Sequence, residues 1–372
     1  QNPDAVVAVV GCYAQTAPEE MERVEGVNLI LGTKDKGKIA ELVEQYHKEE
    51  GIRNYVTDIR NEHVFEPLSI QKLAGRTRAY LKIQDGCNRY CSYCIIPYAR
   101  GPIRSRDPED VVAEVKRLAE NGFQEVVLTG IHVASYGKDL GNMDLLGMIR
   151  RVHAVEGIQR IRLSSIEPNI VTEDFIEGIR TLPKLCDHYH LSLQSGCDET
   201  LRQMNRHYDT ADYRKAAQML REALPDVALT TDIIVGFPGE TEEHFQQSAA
   251  FAKEIGFSKI HVFPYSPKRG TPAAKRKDQN SNEVKADRSH RLIQVSDALG
   301  NAFLEQRMGQ VYEVLFEREV EEGIYEGHTT NYIKVRTKSA KNISNEILRV
   351  KLVRQEQECA WGCLLEENVV KL

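Results

Sequence analysis

The chain has 372 residues, 41% of them hydrophobic and 28% charged, with a formal net charge of -6. Such a length holds two or three domains of about 150 residues each, and the composition is that of a folded globular protein. The acidic balance excludes a uniformly basic nucleic-acid binder, so any RNA contact has to come from local patches. No apolar run reaches about 18 residues and no signal-peptide pattern is present, so no membrane span or secretion is expected and a cytoplasmic location is. Eight cysteines are too sparse for a disulfide scaffold, and their grouping favours a metal in a reducing compartment.

Residues 5–12 form an apolar, β-branched run ending in Gly11 and Cys12, which predicts a strand buried on both faces of a parallel sheet. A helix over 18–23, a second apolar run over 27–32 and a helix over 36–50 complete only about half of a doubly wound α/β domain. Residues 1–52 are therefore expected to be part of such a domain, with the chain starting inside it. Residues 53–76 lack a clear period and are expected to be an extended linker.

From residue 77 the pattern changes. Six strand-like runs cover 80–84, 125–129, 160–165, 188–194, 228–235 and 259–264, with helical stretches between them. The best marked helix starts with Asp107 as N-cap and Pro108 at the first helical position and stops at Gly122, with Val111, Val112, Val115 and Leu118 on one face. Alternation of this kind predicts a parallel sheet with right-handed crossovers, here a partial (β/α)6 barrel over 77–305 that ends in a long polar helix over 281–306. Functional residues of such barrels gather at the C-terminal ends of the strands. Beyond residue 306, short strand-like runs at 311–316, 325–328, 332–337, 347–352 and 364–366 predict a small antiparallel β-barrel, an architecture often used to bind oligonucleotides. Residues 306–372 carry ten Lys/Arg against eleven Asp/Glu, so an RNA-binding face there would be one-sided. A second candidate patch is 268–277, with five cations and no acid; it reads equally well as a solvated loop.

The central motif follows the first barrel strand: Cys87, Cys91 and Cys94, spaced C-x3-C-x2-C, with Tyr93 just before the last. Three thiolates in one short loop point to a four-iron cluster with one iron left open, and an open metal position is the mark of a catalytic site. The alternative is a structural zinc loop taking a fourth ligand from Cys186, Cys197 or a histidine. Zinc sites usually pair two C-x2-4-C knuckles, and Cys359 and Cys363 are spaced as one knuckle without a nearby second. At the other strand ends stand Gly130, Glu167, Gln194 with Ser195, and Tyr265, while Asp232 lies within the fifth strand. Glu167 and Asp232 suit an ammonium or ribose hydroxyls, Gln194 offers donors and acceptors, and Gly130 would let a ligand approach the backbone. An acidic residue at such a position can equally cap the next helix. Cys12 taken alone reads as a small inert residue.

The cysteine spacing with its aromatic residue matches the signature of the radical S-adenosylmethionine superfamily. The order of motifs resembles its methylthiotransferase family across nearly the whole chain: Gly11-Cys12-Tyr13-Ala14-Gln15, the cysteine loop running into Ile95-Ile96-Pro97-Tyr98-Ala99-Arg100-Gly101, Leu128-Thr129-Gly130-Ile131-His132, Leu193-Gln194-Ser195-Gly196, Met204-Asn205-Arg206-His207-Tyr208, Asp232-Ile233-Ile234-Val235-Gly236-Phe237-Pro238-Gly239-Glu240-Thr241 and Phe263-Pro264-Tyr265-Ser266. The resemblance implies an N-terminal domain, a radical barrel and a C-terminal, TRAM-like barrel that binds RNA. It implies a [4Fe-4S] cluster on Cys87, Cys91 and Cys94 that cleaves S-adenosylmethionine reductively, the resulting deoxyadenosyl radical abstracting hydrogen. Tyr93, Gly130, Glu167, Gln194, Asp232 and Tyr265 would line the cosubstrate site.

Residues 96–101 and 128–132 look most like the branch that adds a methylthio group to C2 of threonylcarbamoyladenosine beside the tRNA anticodon, at position 37. The isopentenyladenosine branch and the branch acting on an aspartate of a ribosomal protein are the near alternatives. Partners implied are the tRNA anticodon stem-loop, an electron donor such as flavodoxin or ferredoxin, and a sulfur source. The family's auxiliary [4Fe-4S] cluster uses three cysteines, of which Cys12 matches the third; the first two would precede Gln1, so this chain is expected to be truncated and the second cluster to belong to the full-length protein. A different radical C–H functionalisation and a metal-stabilised RNA-binding protein remain the competing classes.

Overall fold

The computed structural model describes residues 2, 5–46, 51–67 and 77–365. Near the start, β1 (Ala8–Val10), β2 (Leu29–Leu31) and β3 (Arg53–Asn54) form a parallel sheet in the order β1-β2-β3. The expectation of a first strand buried on both faces is corrected. It shortens to three residues, and Val10 is 38% exposed. Among the described residues β1 pairs with β2 alone, so its other edge has no cover, while central β2 is wholly buried. The pairing Leu29↔Arg53 carries this sheet past residue 52 into the segment expected as linker. The helices described here are Cys12–Thr16, Pro18–Met21 and Ile39–Tyr46, the last preceded by a 3-10 turn at Lys36–Lys38. Residues 47–50 of the expected helix and 68–76 of the expected linker lie outside the described residues.

Six parallel strands follow: β4 (Arg78–Asp85), then, after the short β5 (Arg104–Ser105), β6 (Glu125–Gly130), β7 (Arg160–Leu163), β8 (His188–His190), β9 (Ala228–Val235) and β10 (Lys259–Pro264). They form the sheets β5-β4-β6-β7 and β10-β9-β8, joined by the parallel bridges Ile161↔Leu185 and Ile166↔Leu191. No pairing links β10 to β4 among the described residues, so the barrel is open on one side. The antiparallel β5 had no signal in the sequence, since two residues carry no period.

Period-two alternation divides each strand. Ala79, Leu81, Ile83, Val126, Leu128, Ile161 and Ile233 pack outward against the helices in the main core, each large side chain contributing about 1.5–3 kcal/mol. The alternate positions, including Tyr80, Lys82, Gln84 and Asp232, therefore face the lumen. Helix Pro108–Glu120 starts as expected, with the Asp107 carboxylate accepting from the N–H groups of Glu109 and Asp110. Helix Asn282–Glu305 is capped by Ser281.

The last unit is a closed barrel of β11 (Val311–Glu321), β12 (Ile324–Thr329), β13 (Lys334–Lys338), β14 (Ile347–Glu356) and β15 (Cys359–Leu364), in the order β11-β12-β13-β15-β14. Its pairs are antiparallel except β13 with β15, a parallel pair that closes the ring and departs from the all-antiparallel expectation. The last strand lies upstream of the expected 364–366, whose final residue is outside the described residues. This unit closes the N-terminal mouth of the larger barrel. The Tyr332 ring lies 4.8 Å from the rings of His188 and His328, and 4.5 Å and 5.3 Å from the guanidinium carbons of Arg162 and Arg78. Arg160 donates to the carbonyls of His328 and Glu313, both at 2.9 Å. The C-terminal mouth is left for chemistry. Among the described residues no helix is long and apolar enough to cross a membrane.

Candidate active site

The loop bearing Cys87, Cys91 and Cys94 leaves β4 at the C-terminal mouth and is tied down at each step. Cys87 N–H donates to the Gly101 carbonyl (3.0 Å), Ser92 N–H to Met204 (2.9 Å), Cys94 N–H to Cys91 (2.9 Å), and Ala273 N–H returns a bond to Ser92 (2.8 Å). Gly86, which opens the loop, has φ +71°, and a β-carbon there would lie 1.7 Å from the Pro102 carbonyl oxygen, so only glycine fits. All three cysteines are free thiols. Burial pushes the Cys87 thiol up to about 11 and raises that of Cys94. Thiols buried this way bind as thiolates only where a metal supplies the positive charge.

Beside them stands a charged knot. The Arg206 guanidinium donates to Cys91 Sγ at 3.2 Å and sits 2.9 Å from Glu167 Oε1; Arg89 and His132 Nε2 reach Glu167 Oε2 at 2.7 Å and 3.1 Å. Burial pushes the Glu167 carboxyl up, but the hydrogen bond from His132 and the charges of Arg206, His132 and Arg89 outweigh it and hold the group at about 2. The Glu167 side chain makes no cap hydrogen bond to the 3-10 turn that follows, which removes the capping alternative.

Tyr93 and Tyr265 lie behind the loop, in an apolar group with Phe237, Met204 and Ala273. Phe237 meets both rings edge-on, at 6.5 Å and 5.5 Å. The Tyr265 hydroxyl is buried without a hydrogen-bond partner, an orphaned polar atom beside the loop that a bound cosubstrate could satisfy. Gln194 has φ +68°, rare for a non-glycine residue, and is locked by an exchange of backbone bonds across Asp232 and Ile234. Asp232 lies one layer below the rim. Its carboxylate is 3.2 Å from His190 Nε2, and His261 completes a group whose ligand atoms lie within 4.8 Å of one another. His190 Nδ1 is 3.1 Å from the Thr230 hydroxyl, which orients the ring.

At Gly130 the structure shows what the missing side chain makes room for. The space of a β-carbon there is taken by Gln84, whose Oε1 would lie 2.8 Å away, so this glycine makes room for a protein side chain. Gln84 in turn accepts from the His132 N–H at 2.7 Å. Cys12 begins helix Cys12–Thr16, and its sulfur accepts from Arg100 Nε at 3.2 Å, turning it toward the cysteine loop's following helix. It is the only cysteine before Cys87, so this chain supplies one thiol there and does not by itself fit a second four-iron cluster. The basic segment 268–277 divides. Ala273 is fully buried under the cysteine loop and Arg276 pairs with Asp278, while Lys268, Lys275 and Lys277 stay exposed. Sequence reasoning gave Arg206, Arg89, His132 and Arg100 no role. The positive φ of Asn205, whose side chain holds the Tyr90 carbonyl at 3.0 Å, explains how Arg206 is presented.

The profile of the radical SAM superfamily matches residues 81–252. The threonylcarbamoyladenosine tRNA methylthiotransferase MtaB of Bacillus subtilis is 42% identical over 359 residues, 95% of this chain and 80% of that protein. The chain belongs to the radical SAM methylthiotransferase family. A second member, the tRNA-2-methylthio-N(6)-dimethylallyladenosine synthase of Clostridium beijerinckii, is 37% identical over 363 residues, 95% of this chain and 79% of that protein. As a methylthiotransferase the protein is an enzyme of the cluster- and S-adenosylmethionine-dependent class, and its three-thiol loop fits that cluster.

Proposed function

We propose that this methylthiotransferase acts on tRNA, adding a methylthio group to C2 of threonylcarbamoyladenosine at position 37, next to the anticodon. The observation that carries the reading is the 42% identity to the threonylcarbamoyladenosine enzyme across 95% of the chain, both barrels included. Cys87, Cys91 and Cys94 would hold the cluster, and Cys12 would be one ligand of an auxiliary cluster. A cluster on the three cysteines, with S-adenosylmethionine at its open iron, supplies hydrogen-atom abstraction from an otherwise inert C–H bond.

The chain's own residues bind and orient. The Glu167 carboxylate, kept ionised by the hydrogen bond from His132 and by Arg206 and Arg89, is suited to an ammonium group. The Tyr265 hydroxyl, Gln194 and Asp232 offer hydrogen bonds toward the lumen. Tyr93 and Phe237 keep water from the rear of the cysteine loop. We assign residues up to about 67 to an N-terminal α/β unit, 77–305 to the radical barrel and 306–372 to an RNA-binding barrel. The electron donor is a flavodoxin- or ferredoxin-like protein, the sulfur comes from a separate source, and the setting is the cytoplasm.

The test is mass spectrometry of tRNA nucleosides from cells lacking the gene, with and without the gene restored. Loss of methylthio-threonylcarbamoyladenosine with accumulation of its parent is expected. Loss of the methylthio-dimethylallyl nucleoside instead would move the enzyme to the neighbouring branch, and unchanged tRNA would end the tRNA reading.

A further inference from the structure

Three metal-ligating side chains meet inside the larger barrel, one layer below the rim that carries the cysteine loop. Strand pairing brings them together. His190 on β8 lies across from Thr230 on β9, and His261 on β10 lies across from Asp232, two residues further along β9. Their chain neighbours Tyr189, Ile233 and Ile260 pack outward into the main core, so His190, Asp232 and His261 all turn inward. The two imidazoles stack, with ring centres 5.7 Å apart and planes 30° from parallel.

The contact between His190 and Asp232 is not a hydrogen bond. The carboxylate oxygen lies 3.2 Å from Nε2, yet Nε2 is buried without a hydrogen-bond partner, because the oxygen stands off the axis along which an N–H would point. One tautomer leaves a bare lone pair beside a carboxylate; the other leaves an N–H that misses its acceptor. A cation shared by the two atoms resolves both. Nδ1, 3.1 Å from the Thr230 hydroxyl, is placed to donate to it, the arrangement that frees Nε2 for a metal. A separation of 3.2 Å is also that of two atoms held by one ion at about 2.0–2.2 Å from each. The other two separations, neither above 4.8 Å, close with a turn of the exposed His261 side chain. Lys259, two residues before His261, is engaged by Glu358 and Asp297 and does not compensate Asp232. His190 and His261 line a cavity of about 490 Å³ that runs to His188, His328 and Tyr332 at the small barrel, which leaves room for water to complete a coordination sphere.

We propose that His190, Asp232 and His261 form a binding site for a divalent transition-metal ion such as zinc, separate from the cysteine loop. Two neutral imidazoles and one carboxylate are a donor set that such ions favour, and three protein ligands leave a coordination position open. The ion ties β8, β9 and β10 together from inside, at the side where the barrel is open. Asp232 gives it one oxygen and keeps the other for the lumen.

The experiment loads the protein with its iron-sulfur cluster anaerobically, so that Cys87, Cys91 and Cys94 are occupied, and dialyses it against Zn2+ alone. Metal analysis and zinc-edge X-ray absorption are read together. About one zinc per chain is expected beyond the iron, in a shell of nitrogen and oxygen at about 2.0–2.1 Å with no sulfur at about 2.3 Å. His261→Ala, at an exposed position outside the core, is expected to weaken binding by more than about a hundredfold, above what an outer-shell partner costs, with iron and sulfide content unchanged. His190→Ala is expected to show the same loss, and Lys259→Gln, in the same cavity, to keep its zinc. A sulfur shell would mean that the zinc had gone to thiols and would overturn the proposal. So would no zinc uptake, equal affinity in wild type and His261→Ala, or an equal loss in Lys259→Gln.

Discussion

Arg206 sets one guanidinium against a cysteine sulfur and a carboxylate at once, and that double contact shows how the site manages charge residue by residue. Replacing Cys87, Cys91 or Cys94 by Ala removes a ligand from the loop, and each variant is expected to lose bound iron and S-adenosylmethionine cleavage together. Retained cleavage in any one of them would refute the ligand assignment. Glu167→Gln leaves Arg206, Arg89 and His132 facing a neutral amide. Removing one partner of a buried ion pair costs about 3–5 kcal/mol, to be read from denaturant unfolding at neutral pH. The sign of the pH dependence follows from the depressed carboxyl. Its folded value of about 2 lies below the ordinary 4.5, so its contribution is fully present above about 4.5 and is lost as pH falls toward 2. The wild-type protein is therefore expected to lose stability across that window more steeply than Glu167→Gln, and parallel acid limbs for the two proteins would show that the pairing does not operate in solution.

At the scale of elements, the cysteine loop is a short segment whose shape is imposed by neighbours distant in sequence. Gly86→Ala would drive a methyl group into the Pro102 carbonyl at a backbone conformation that L side chains avoid. The expected outcome is a folded protein with reduced iron loading, checked by iron analysis beside circular dichroism; full loading would mean that the loop relaxes around the methyl group. This non-locality also sets the limit of what could be read from the sequence. Strands β9 and β10 and helix Pro108–Glu120 were legible because strand alternation and capping are local patterns. The three cysteines were legible because their spacing is local too. The knot around Glu167 was not, since Arg89, His132 and Arg206 arrive from three separate loops. The packing of Gln84 against Gly130 was hidden for the same reason: Gln84 sits on the adjacent strand, invisible until β4 and β6 are paired. Strand β1 was overextended because an apolar run signals burial but does not say how many neighbours will cover it.

Across the whole molecule, the two mouths of the larger barrel have different owners. The cysteine loop and the N-terminal unit hold one; Tyr332 of the small barrel fills the other, between His188 and His328 and beneath Arg78 and Arg162. Glu125, fully buried, pairs with both arginines from inside the larger barrel, while Glu317 reaches Arg78 at 2.7 Å from the small barrel's side. The contact is thus a charged, hydrogen-bonded dock rather than an apolar seam, and such a dock fixes orientation more than it adds stability. On the proposed reading, in which the small barrel binds RNA, that RNA can present one nucleotide to the far mouth only if the orientation is fixed. Tyr332→Ala deletes the ring that four side chains share, a loss of about 1–3 kcal/mol at the dock, without touching the cysteine loop. The expected consequence is a KM for the tRNA stem-loop raised by about tenfold, as about 1.4 kcal/mol corresponds to, while reductive cleavage of S-adenosylmethionine in the absence of RNA keeps its wild-type rate. Loss of both activities would mean that the dock supports the radical barrel itself. An unchanged KM would mean that the small barrel finds its RNA without being held in register.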